Sequence, residues 1–127
     1  MKYLKKYNES RVQSLIDDLN DISYELKDIG FNFKIDTFVD RFIIANILPG
    51  EKDEVDSDLI EVIKRMIECA YIKSYDLGSN KWYDGLQDKL RVKRKVSSAY
   101  YVISVKELDE FIGVDFEIIE LVFDSIV

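Results

Sequence analysis

Lys89, Arg91, Lys93 and Lys95 are cations at alternate positions. That is the spacing at which side chains of an extended strand leave from one face. A row of charges about 7 Å apart does binding chemistry, not bond-breaking chemistry. It can meet carboxylates of another protein surface or successive phosphates of a nucleic acid. Lys81, Trp82 and Tyr83 precede the row and Tyr100 and Tyr101 follow it, adding rings that stack on bases or pack on a protein. The candidate partner-binding residues are therefore Lys89, Arg91, Lys93, Lys95, Trp82 and Tyr83. The same cations also have plainer uses. They can be the wet face of a hairpin, guards against strand-edge aggregation, or partners for acids of the terminal segment or a neighbouring subunit.

The carboxylates are densest at Glu51, Asp53, Glu54, Asp56 and Asp58. Asp53-x-x-Asp56-x-Asp58 has some of the spacing of a calcium loop but lacks the central Gly and the terminal bidentate Glu. An acidic loop leading into a helix, whose N-terminal dipole favours negative charge, accounts for it. The chain has no histidine. This removes Ser-His-Asp and Cys-His nucleophile activation and the usual zinc sites. The single cysteine, Cys69, falls at an apolar helix position and reads as a buried, inert thiol. No Gly-rich phosphate loop is present. No catalytic residue, metal ligand or cofactor is assigned, and the chain is expected not to be an enzyme.

These residues sit in a chain of 127 residues, read as a single domain, 1–127. Its 47% hydrophobic and 34% charged content fits a folded protein, with Phe and Tyr dominating the core. Charge is segregated along the sequence. Residues 81–106 carry seven Lys and Arg against two Asp, a net of +5, so the remainder must sum to −12 to give the overall −7. That balance argues against general nucleic-acid affinity and acidic membranes. No apolar run reaches the roughly 18 residues of a membrane span, and no signal-type apolar core follows the first lysines. A cytoplasmic location, in a host cell or a virion, is expected.

Several elements must position the row. Val12, Leu15, Ile16, Leu19, Ile22, Leu26 and Ile29 make one helical stripe, with Ser10 and Gln13 as a capping box and Gly30 as the stop. Phe31, Phe33 and Ile35 alternate as a half-buried strand, and residues 42–48 read as an interior one. Asp58 and Glu61 open a second helix that frays near Tyr75, followed by a turn at Asp76, Gly78, Ser79 and Asn80. Residues 89–104 form a hairpin turning at Ser97-Ser98. Ser104 and Glu107 start a short helix stopped by Gly113. Asp115 caps a last one, favoured over a strand because Glu117, Glu120 and Asp124 fall at helical spacing. The fold class is α+β in the order αββαββαα, with about four antiparallel strands and helices packed on one face.

Two resemblances follow from these residues. The segment Leu108, Phe111, Ile112, Gly113, Val114, Ile118 and Leu121 resembles a helix-turn-helix. Its would-be recognition helix offers Asp115, Glu117, Glu120 and Asp124 and no cation, so a plain helical hairpin is the reading kept. Residues 16–31, from Ile16-Asp17-Asp18 to Gly30-Phe31, together with the Ile/Asp/Lys/Tyr/Asn-rich composition, resemble small uncharacterised proteins of tailed bacteriophages. The resemblance implies a viral origin and brings no site residues. The expected function is a non-enzymatic, protein-binding accessory protein of phage type, a host-factor modulator or virion component, with a protein partner or homo-oligomerisation. The alternative is a nucleic-acid-binding regulator using the hairpin 89–104.

Overall fold

The computed structural model of the chain describes residues 2–38, 42–78, 88–97 and 99–125. Its elements are α1 (Lys2–Asp28), β1 (Phe31–Phe38), β2 (Phe42–Pro49), α2 (Ser57–Ile72), β3 (Tyr75–Leu77), β4 (Lys89–Lys93), β5 (Tyr100–Ser104), a short 3-10 helix (Val105–Phe111) and β6 (Ile118–Ser125). The class is α+β, as the residue pattern predicts.

The apolar stripe of α1 is its buried face. Leu15, Leu19 and Leu26 are fully buried, with Val12, Ile16, Ile22 and Ile29 packed around them. The helix begins at Lys2, so Ser10 lies inside it and not at its start, and Gln13 donates to Asp17 Oδ1 at 2.9 Å. At the far end Gly30 (φ 101) stops the helix and accepts the Lys52 N–H at 3.0 Å. Gly50 lies so close that a Cβ on it would sit 2.7 Å from the Gly30 oxygen. Here glycine is needed for space.

The second helix is capped two residues earlier than predicted. Asp56, not Asp58, accepts the Leu59 N–H at 2.8 Å, and Asp58 lies in the first turn. The helix buries Leu59, Ile63, Met66 and Ala70 and ends at Ile72. Tyr75 and Leu77, expected at a fraying helix end and a turn, are buried residues of β3.

All paired strands run antiparallel, in a six-stranded sheet ordered β1-β2-β6-β4-β5, with β3 also on β6. The expectation of about four strands in the order αββαββαα is corrected in two places. One is β3. The other is residues 118–125, which form the central strand and no helix. With a strand there, the helix-turn-helix and helical-hairpin readings both fall. Ile119, Leu121 and Phe123 point into the core from β6, beside Ile43, Ala45 and Ile47 of β2 and Leu90 and Val92 of β4. A residue so placed, buried by sheet and helices, contributes about 2 kcal/mol. The β-branched and aromatic run outweighs the helical spacing of the acids.

Strands β3 and β4 lie end to end along one side of β6. Leu77 faces Phe123, and Arg91 faces Glu120. The chain leaves this line at Gly78 (φ 68) and rejoins it at Asp88 (φ 59), whose N–H donates to the Leu77 carbonyl at 3.0 Å. The helices and the 3-10 helix share the core face of the sheet. Leu108 of the 3-10 helix is buried there, and Tyr101 meets Phe111 edge-on at 6.3 Å.

Candidate functional site

The hairpin forms, with Lys89 opposite Ser104 and Lys93 opposite Tyr100. Leu90 and Val92 face the core, so Lys89, Arg91 and Lys93 share the opposite face, as alternation requires. Lys95 lies past the end of β4. Trp82 and Tyr83, with Lys81, lie outside the described residues, as do Ser79, Asn80 and Ser98 of the expected turns.

The cations meet acids of the same molecule. Arg91 pairs with Glu120 at 3.4 Å and Lys93 with Glu117 at 3.3 Å. Lys95 bonds Asp53 at 2.6 Å, and neighbouring Arg94 bonds Asp115 at 3.0 Å. Lys89 alone of the row has no carboxylate partner among the described residues. The cause is topological. The cation-rich strand β4 is hydrogen-bonded to β6, which lies in the stretch after Lys106 that holds seven acids and no Lys or Arg, so Arg91 meets Glu120 across one ladder. Of these four acids Glu120 is the best enclosed, its side chain 17% exposed. The Tyr100 hydroxyl donates to it at 3.3 Å, and the Arg91 guanidinium stacks 4.1 Å from the Tyr100 ring centroid. Both contacts order the guanidinium against its own sheet.

The acidic loop is likewise committed. Its backbone bonds residues 113–116 through Val55 N–H to Val114 (3.0 Å), Gly113 N–H to Val55 (2.8 Å) and Phe116 N–H to Asp53 (3.0 Å). Lys52 pairs with Asp56 at 3.1 Å. The hydrogen bond from Lys95 holds the Asp53 carboxyl below its usual range, and the same bond raises the Lys95 ammonium. Among the described residues no three His, Cys, Asp or Glu side chains converge to hold a metal. Cys69 is half-buried, not fully buried as expected, with Sγ 3.5 Å from Asp18 Oδ2. Burial first and Asp18 second push the thiol pKa up, away from the reactive thiolate.

What charge does not cover is the sheet edge. Strand β5 pairs only with β4 among the described residues. The Glu117 N–H donates to the Lys93 carbonyl at 2.7 Å, so Lys93 turns its peptide groups toward β6. Alternation then points the peptides of Leu90 and Val92 at β5, where Tyr101 and Ile103 meet them. Tyr100, Val102 and Ser104 must therefore aim their N–H and C=O groups outward, unbonded by the sheet. Apolar area lies beside them. Tyr100 is 38% exposed, Tyr101 and Val102 each 42%, and Val96 at the hairpin tip 87%.

The opposite edge strand, β1, carries Lys34 and Asp36, paired at 3.7 Å. Such charges blunt an edge. On β5 there are none. Reasoning from charge alone misses Val102 and casts Tyr100 as a stacking ring. The signal that marks them is the run 96–105, which holds no charged residue, Gly or Pro in a chain that is 34% charged.

No protein-family model, curated protein or solved structure matches the chain.

Proposed function

We propose that the protein is a non-enzymatic binding protein that acts by accepting another protein along the open edge of β5. The observation that carries this reading is the outward, uncharged edge formed by Tyr100, Val102 and Ser104, with exposed Tyr101 and Val96 beside it. An edge strand of this kind supplies backbone hydrogen bonds for affinity and alternate side chains for selection when an added strand extends the sheet. The phage-type accessory role belongs to the same reading, supported by the sequence resemblance over residues 16–31. Nucleic-acid binding through the hairpin is the weaker reading. Engaging phosphates would require Arg91, Lys93 and Lys95 to surrender Glu120, Glu117 and Asp53.

The test compares wild type with Tyr100→Asp as immobilised full-length baits in lysate of the cell or particle that makes the protein, scored by mass spectrometry. A protein enriched on wild type and lost on the folded variant supports the reading. Equal enrichment on both, or none on either, overturns it.

A further inference from the structure

We infer that the hairpin tip at residues 94–97 is an electrostatic strap, which Arg94 and Lys95 close onto Asp115 and Asp53 and which rising ionic strength opens while the sheet stays folded. The strap needs no occupant on the β5 edge.

Its two sides are held in different ways. On the receiving side, residues 53–55 and 113–116 are tied together by the three backbone hydrogen bonds described above, and Val55 and Phe116 anchor them in the core. The Phe116 ring also meets Phe31, with centroids 5.7 Å apart. The receiving acids therefore stand on fixed backbone. On the tip side the ladder ends at Lys93, where the carbonyl accepts the Glu117 N–H at 2.7 Å. Beyond it, no described residue from Arg94 to Ala99 makes a backbone–backbone hydrogen bond. The Ala99 N–H bonds Ser97 Oγ at 3.2 Å, within the tip itself. No apolar side chain holds the tip down, since Ala99 and Val96 are both exposed. What crosses from tip to body is charge. Arg94 reaches Asp115 Oδ1 from Nη2 at 3.0 Å and from Nε at 3.3 Å, and Lys95 Nζ reaches Asp53 Oδ2 at 2.6 Å. Among the described residues these are the only polar ties of the tip to the body.

Ties of this kind are reversible. Asp53 and Lys95 are 49% and 44% exposed, and a solvated pair favours closure by at most about fivefold. Against it stands the entropy of fixing the loop between Lys93 and Tyr100. The screening length shrinks from about 30 Å at 0.01 M salt to about 3 Å at 1 M, which is the length of the contacts themselves. The Lys95 pair should yield first, because Asp115 is the more enclosed acid and Arg94 holds it with two nitrogens. Full opening frees two cations and two carboxylates together.

The test reads backbone nitrogen-15 order parameters of Lys95, Val96 and Ser97 in the full-length protein across a salt series. In wild type they should be near 0.85 at about 0.01 M salt and fall below about 0.6 at about 1 M, while those of β4 and β6 stay high. Asp53→Asn and Asp115→Asn preserve side-chain shape and should loosen the tip already at low salt. Asp109→Asn removes an equal charge from an exposed position of the 3-10 helix and should leave the tip as ordered as in wild type. If a variant fails to fold, the wild-type salt series still decides, since it requires no substitution. A tip equally ordered at both ends of the salt series overturns the inference, as does a tip already disordered in wild type at low salt. Loosening by Asp109→Asn as great as by the other two would reduce the effect to overall charge and overturn it too.

Discussion

Replacing Glu120 by Gln keeps the shape of the side chain and removes its charge. Glu120 pairs with Arg91 at 3.4 Å, accepts the Tyr100 hydroxyl at 3.3 Å, and is 17% exposed. At that separation the gross Coulomb attraction is about 5 kcal/mol with an effective dielectric of about 20. Most of it is offset by desolvating two charges, which a partly wet site makes less severe than a sealed one. A net loss of about 1–2 kcal/mol is expected, larger than for an exposed pair and smaller than for a buried one. The assay is urea unfolding of wild type, Glu120→Gln, Arg91→Met and the double variant, where Met keeps the aliphatic stem of Arg91. The coupling energy of this cycle should be about 1 kcal/mol and should persist in salt better than that of a solvated pair. A coupling near zero would refute the account of an internally neutralised row. The cations would then be available to an outside partner, and phosphate binding would regain its footing.

Two further outcomes follow from the loop at 51–56. Asp56→Ala should destabilise the fold by about 1 kcal/mol in denaturant titration, because the Leu59 N–H loses its acceptor. Asp58→Ala, the residue that sequence spacing favours, should change it by less than about 0.5 kcal/mol; the reverse ranking would sink the assignment. The Asp53 carboxyl is held low by Lys95, so in a carbon-13 titration its midpoint should lie below the ordinary aspartate value and rise toward it in Lys95→Met. The sign is that of a depressed acid. Its stabilising contribution is present above the unfolded pKa and fades as pH falls through the folded one. An unchanged midpoint would show that the 2.6 Å contact does not persist in solution.

Local chemistry and global pairing divide the protein between them. Residues 12–29 determined a helix, residues 31–35 a half-buried strand and residues 42–48 an interior one, because a period of 3.6, a period of 2 and a continuous apolar run report which sides meet the core. The alternation of 89–93 fixed which face holds the cations. Residue order does not reveal which strand lies beside another. That decided the fate of the row, since β4 beside β6 sets Arg91 against Glu120. Spacing also failed at Glu120 and Asp124, which are four apart. That interval is close to one helical turn and is also two strand repeats, so packing had to choose. Burial of Ile119, Leu121 and Phe123 on one side of β6 chose the strand. Local spacing does not single out Asp56, because Asp58-x-x-Glu61 carries an equally good signal and the cap depends on where the chain enters the helix. The uncharged run at 96–105 was written in the sequence, yet its meaning was not. A strand becomes an edge only through the absence of a neighbour, which is a property of the assembled sheet.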